Sequence, residues 1–344
     1  MEVPALPNEL ILHIIRCLIP SPPPVAFAAP HPVTKALLNL TLVSRLTSGT
    51  AKGLLLKHCL YIESSDRLAK LIHLRERSLV DLTTAAPKGL FLSPFPQENL
   101  DFPSIAQNVS LLLSDIKRTL TRLVINLPLR YLRPEYDEHL VRPVLREAFS
   151  GLTALEEFCS MQDELYLDTD EHHLQPAVWP TWPQLRRLAM YNACVDDATF
   201  VAGIKRCSNL THLVLPRADG MFYQVPNDLA GFGALAKLKR VVVINTKRGF
   251  SHDLSFDEDD HAAAKDTLLG RLRSAWLSHN VGQASVQMSE SDHFCVAVEV
   301  PIPPNLEQES DNDISLCQEW VGNRAVDGTL WDVTGNPFLD WPRS

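Results

Sequence analysis

The chain opens on an apolar rhythm. Leu10, Ile11, Ile14, Ile15 and Leu18 recur at steps of three and four residues, which places them along one side of an α-helix. Pro7 suits the first helical position, where its missing N–H would be unpaired anyway, and Glu9 falls in the first turn, where the helix dipole favours a carboxylate. Fully burying such side chains contributes about 1.5–3 kcal/mol each, so leaving five of them in water would forgo roughly 10 kcal/mol gross. The stripe is therefore expected to dock on something. A second helical run follows from Lys35 to Arg45, with Leu38 and Leu42 one turn apart, and Leu54, Leu55 and His58 mark a third short helix.

Beyond residue 60 the pattern shifts to short β-like runs alternating with helical stretches. Several runs carry one phrase, a Leu, two polar residues, then an apolar residue: Leu155–Phe158, Leu185–Leu188, Leu210–Leu213 and Leu238–Val241. The leading leucines stand 30, 25 and 28 residues apart, room for one strand and one returning helix. Such units bury their apolar sides only by stacking, which predicts a parallel sheet along one face. Helices such as Asp196–Lys205 and Asp228–Lys237 would form the other face. Polar or acidic loops are expected at Tyr131–Asp137, Asp163–Pro183 and Ser251–Asp260. A helix is expected over Ala262–His279 through Leu268, Leu269, Leu272 and Leu277, and a last strand over His293–Val300. Pro301–Asp313 reads as a linker. The tail Ile314–Ser344, with Trp320, Trp331 and Trp341, is too aromatic for simple disorder and is expected to fold back as a terminal cap.

Two resemblances follow from these phrases. The run Leu6–Leu18 (LPNELILHIIRCL), then Leu37–Arg45 (LLNLTLVSR), then Leu54–Ile62 (LLLKHCLYI) resembles an F-box as it occurs in fungal F-box proteins, over about the first 60 residues. That resemblance implies three helices that bind a Skp-family adaptor and, through it, a cullin–RING ubiquitin ligase. Leu6, Pro7, Leu10, Ile11, Ile14, Ile15, Leu18, Leu38, Leu42 and Val43 would form the adaptor surface, and some of them must also hold the three helices together. The chain departs from the family in a proline-laden insert (Pro20, Pro22, Pro23, Pro24, Pro30, Pro32) and in having Leu46 and Thr47 where a tryptophan is common. The run Leu185–Cys194 (LRRLAMYNAC) resembles the phrase of leucine-rich repeats, whose period is about 20–29 residues.

Composition narrows the function. The chain has 344 residues with a formal net charge of −9, which argues against a nucleic-acid grip built on clustered Lys and Arg. No run of about 18 apolar residues predicts a membrane span, and Glu2, Pro4 and Glu9 at the N-terminus do not make a secretory leader. Seven scattered cysteines without a C-x-x-C point to reduced, mostly buried thiols in the cytoplasm or nucleus.

No constellation earns a catalytic assignment. Gly231–Ala236 matches G-x-G-x-x-A, but Pro226, Asn227 and Asp228 precede it where a strand is required. Asp168, Asp170, Glu171, His172 and His173 are near neighbours on one loop, which seldom converge on a metal. Asp257–Asp260 lacks the glycine and terminal glutamate of an EF-hand loop and suits the flank of the following helix. No nucleophile elbow or P-loop is present.

The expected fold is therefore α/β: an F-box-like helical module at 1–60, a leucine-rich-repeat-like interaction domain at 61–300, and a linker with a cap or tail at 301–344. The expected function is that of a non-catalytic substrate-recognition adaptor of an SCF-type ubiquitin ligase. It would need no cofactor or metal, would bind no nucleic acid or membrane, and would bind a target protein with the parallel strand face of its repeat region and the loops beside it. The alternative is a repeat-type interaction scaffold without a ligase link.

Overall fold

A computed structural model of the protein describes residues 6–170, 175–225, 232–235, 237–253, 266–280, 294–306 and 312–338. Three helices come first: α1 (Asn8–Arg16), α2 (Pro32–Val43) and α3 (Arg45–His58). Among the described residues the remainder builds a nine-stranded sheet whose spatial order is its sequence order. The strands are β1 (Tyr61–Ile62), β2 (Gly89–Leu92), β3 (Arg122–Ile125), β4 (Glu157–Ser160), β5 (Arg187–Met190), β6 (His212–Pro216), β7 (Arg240–Thr246), β8 (Cys295–Val300) and β9 (Asn336–Pro337). β1 to β8 pair in parallel, and β9 joins β8 antiparallel. Between strands lie α4 (Ser65–Glu76), α5 (Leu82–Ala85), α6 (Pro103–Ile116), α7 (Val141–Ser150), α8 (Ala198–Arg206), α9 (Lys247–Asp253) and α10 (Leu268–Asn280), and α11 (Asp313–Asp327) follows β8. Crossovers of one hand between successive neighbours place their helices on one face of the sheet.

The recurring Leu phrase now has a physical reading. Leu155, Leu185, Leu210 and Leu238 each stand two residues ahead of a strand and are buried beneath the helices with Phe158, Leu188, Leu213 and Val241. The second polar residue of each phrase opens the strand, and side chains alternate faces along it. Glu157, Arg187, His212 and Arg240, together with Arg122 of β3, thus become register partners in a row on the face opposite the helices.

That opposite face is covered by the chain itself. Phe91, Val124, Cys159, Ala189, Val214, Val242 and Val296 pack against Val25 and Ala26 of the proline-rich insert and against Cys317, Val321, Ala325, Leu330 and Trp331. The polar row grips both covering segments. Arg122 donates to the carbonyls of Pro23 at 2.8 Å and Pro24 at 3.0 Å. Arg187 pairs with Glu157 at 2.9 Å and lies over the Trp331 ring, and Arg240 donates to the Val333 carbonyl. Burial first, then Arg187, hold the His212 imidazole down to about 4, so it joins this row uncharged at neutral pH. The two segments also meet: the Val25 N–H donates to the Val326 carbonyl at 2.7 Å. Gly89 is required for the approach, since a Cβ there would lie 1.9 Å from the Val25 carbonyl oxygen.

Several expectations need correction. The strand face, expected to be open to a target, is occupied by α11 and the insert. The tail does fold back, but across the sheet rather than only over its last unit. The Asp163–Pro183 stretch is not simply a solvated loop: Trp179 and Trp182 are buried, and the Trp182 indole donates to the Phe149 carbonyl at 2.8 Å. Within the expected helix Asp228–Lys237, residues 232–235 form a 3-10 turn, because the two glycines Gly231 and Gly233 weaken an α-helix. Leu277 turns out of the buried side of α10, whereas Leu268, Leu269 and Leu272 lie within it. Trp341, His172, His173, Gly231 and Asp257–Asp260 lie outside the described residues.

Candidate functional site

The first three helices are set by local chemistry. Pro7 is the residue just before α1, in an extended conformation, rather than the first residue inside it. α1 ends at Arg16, so Leu18 falls beyond the helix expected to carry it. Pro32 sits at the start of α2, whose first turn is capped by His31 accepting from the Val33 N–H at 3.2 Å. The Leu-Val-Ser-Arg phrase is the corner between helices: Val43 ends α2, Ser44 is extended, and Arg45 begins α3. Ser44 and Thr47 satisfy one another's backbone N–H groups, each at 3.2 Å, a reciprocal cap. Thr47 also donates to the Leu40 carbonyl at 2.9 Å. A tryptophan in that place could not accept from the Ser44 N–H, since its indole N–H only donates.

The candidate residues divide by helix rotation. Ile15 is buried with Phe27, Leu37, Ala51 and Cys59, and Ile11 and Leu18 are half-buried against that cluster. These three hold the module together. Ile15 in particular is removed from any adaptor surface. Leu10 and Ile14 point the other way, at 49% and 55% exposure, and Leu6 and Pro7 are exposed beside them in sequence. On α2, Leu38 and Leu42 repeat the same one-turn spacing, with Leu42 86% and Val43 69% exposed. Single exposed leucines are ordinary. Paired apolar stripes on two successive helices are the pattern of an interaction surface.

A second feature lies elsewhere. The loops that leave the carboxyl ends of β2 to β6, with the first turns of α11, enclose a cavity of about 530 Å³. Three of its lining residues, Glu98, Asn192 and Arg217, adopt left-handed backbone at φ of 60°, 53° and 46°, as does nearby Leu165 at 62°. Such conformations are uncommon outside glycine. Asp163 lines the cavity and is 1% exposed. Its Oδ1 accepts from the Leu165 N–H at 2.8 Å and the Tyr166 N–H at 3.3 Å, while its Oδ2 is buried without a partner.

No protein-family model and no curated protein matches this chain. Site chemistry therefore rests on its own residues.

Burial, reinforced by Glu164, pushes the Asp163 carboxyl up to about 7, against the pull of the two backbone N–H groups and of Arg130. A folded-state value above the unfolded one, about 3.9, stabilises the fold most at low pH, and that contribution fades as pH rises toward 7. Asp163→Asn, which cannot ionise, is therefore expected to gain up to about 3 kcal/mol on the unsubstituted chain between pH 5 and pH 8. Urea unfolding of both chains at the two pH values checks this. Parallel curves would mean that burial does not raise this carboxyl.

The sequence carried no sign of this cavity. Its left-handed positions are not glycines, and Asp163 stands in a stretch that reads as a polar loop. The acidic-histidine run beside it is partly used in packing. The Asp168 carbonyl accepts from Arg142, and its carboxylate lies 3.8 Å from Arg146.

Proposed function

We propose that this protein is a substrate-recognition adaptor of an SCF-type cullin–RING ubiquitin ligase, with α1 and α2 binding a Skp-family adaptor. One observation carries the reading: Leu10, Ile14, Leu38, Leu42 and Val43 stay uncovered in a chain that spends its own insert and tail on covering its sheet. Leucine-rich-repeat-like stacking of strand and helix would then serve as the rigid body that holds a target protein at a distance from the docked helices. The insert and Thr47, which stands where a tryptophan is common, each have a structural role of their own, and the alternative remains a scaffold of the same fold without a ligase link.

Changing Leu10 and Ile14 together to Asp is the direct test. Two apolar side chains lost from a buried interface remove about 3–6 kcal/mol, a weakening of at least about a hundredfold. Co-purification with a Skp-family adaptor is expected to disappear while the melting temperature stays put, since both residues already face water. Undiminished co-purification overturns the reading, and failure of the unsubstituted chain to bind favours the scaffold. An Ile15→Asp chain, by contrast, is expected to lose the module itself.

A further inference from the structure

The cavity at the carboxyl ends of β2 to β6 is a built site without an assigned ligand. Its floor holds Asp163, buried, with Oδ2 unpartnered. An orphaned buried oxygen is costly, and a hydrogen-bond donor from outside would relieve it. Both lining arginines already have hydrogen-bond partners. Arg130 is paired with Glu164, and Arg217 donates to the Asn245 side chain at 3.3 Å and hydrogen-bonds the Tyr191 hydroxyl. Among the described residues, Glu98 and Asp163 are the lining acids that no ion pair neutralises. What the cavity lacks is a donor for Asp163 Oδ2, and a cationic donor makes the strongest such bond to a carboxylate.

The walls add a second requirement. Gln97, Asn192 and Gln318 line the cavity, and each amide presents donors and an acceptor together, the complement of a polypeptide main chain. Tyr131 and Ile314 stand exposed on the lining, apolar surface for the residues on either side of the inserted one. Arg142 ties the loop after β3 to the loop after β4 through the Leu129, Leu132 and Tyr166 carbonyls, so the wall that carries Tyr131 and Asp163 is preorganised.

We propose that this cavity receives the lysine or arginine side chain of an extended peptide, with its ammonium or guanidinium group on Asp163 and Glu98 and its main chain along the amide-bearing walls. The site is independent of α1 and α2, and its test needs no adaptor.

A random octapeptide library displayed on phage, selected on the full chain, is the experiment. Peptides carrying Arg or Lys at one position are expected to emerge, and replacing that Arg by citrulline should weaken binding at least about tenfold, the worth of one charge-assisted bond. Asp163→Asn keeps an acceptor for the Leu165 and Tyr166 N–H groups and is expected to abolish the basic preference with the fold intact. Gln318→Lys, a cation set on the wall from α11 away from the Asp163 loop, should weaken the same peptides by a similar factor and guards against a misfolded Asn variant. Titration with agmatine separates the sources of the cation: agmatine bound with no peptide selected overturns the peptide assignment. Peptides without a basic preference, none at all, or a selection indifferent to both substitutions would overturn the site.

Discussion

A chain ending at residue 312 is expected not to fold. Such a chain loses α11, the turn after it and β9, and with them Cys317, Val321, Ala325, Leu330, Trp331 and Val333 from the core. Four of these are large apolar side chains worth about 1.5–3 kcal/mol each on burial, a loss of roughly 6–12 kcal/mol. The strand residues they cover, Val124 to Val298, would also return to water. A whole domain is stable by only about 5–15 kcal/mol, so the deletion consumes most or all of the margin. The truncated chain should be insoluble, or lack near-ultraviolet circular dichroism and a cooperative melting transition. Trp331→Ala, the milder version, should cost about 3–5 kcal/mol because the ring also backs Arg187 and Glu157. If the truncated chain melts where the full chain does, the tail is an appendage and the closed face of the sheet is not part of the fold's stability.

The closed face separates what was legible in the sequence from what was not. The parallel sheet was legible because its signal is local: Leu155 and Phe158 share a face within one strand entry, and the phrase repeats at Leu185, Leu210 and Leu238. The inward and outward sides of α1 differ by one residue's rotation, so Ile15 and Ile14 look alike in the sequence and meet opposite fates. Closure of the sheet depends on partners far apart in the chain, Val25 with Val326 and Arg122 with Pro23. No periodicity records such a pair. The short apolar run Val25-Ala26-Phe27 amid prolines was the available clue, since a solvated linker would not need it. Glu157 and Arg187 pair with one another, but the ring that covers them, Trp331, lies far off in the tail. The cavity was the least visible element, because it is made of loops whose turns are fixed by tertiary bonds rather than by Gly or Pro.

Arg142→Met is expected to cost about 3–5 kcal/mol, the scale of leaving a buried charged network half-made. Arg142 lies on α7 and is fully buried. Its guanidinium donates to the carbonyls of Leu129 at 3.0 Å, Leu132 at 2.6 Å and Tyr166 at 2.9 Å, and to that of Asp168. It also lies 4.4 Å from the centre of the Tyr166 ring. Burial lowers its affinity for the proton, while Tyr166, Asp168 and Asp137 act against that, so the charge persists on bonds rather than on solvent. One side chain thereby ties the loop after β3 to the loop after β4, the two loops that carry Tyr131 and Asp163 into the cavity. Methionine fills a similar length with no donor and orphans every one of those carbonyls, each worth about 1–3 kcal/mol when left buried. For a chain of this size the melting temperature should fall by roughly 4–7 °C. Arg142→Lys keeps the charge but not the planar fork and should fall between. Arg133→Met, which loses only the exposed pairing with Glu135 at 3.8 Å, should cost under about 1 kcal/mol. Equal melting temperatures for the Arg142→Met and Arg133→Met chains would mean that the two loops are held by something other than this guanidinium, and the preorganisation argued for the cavity would fall with it.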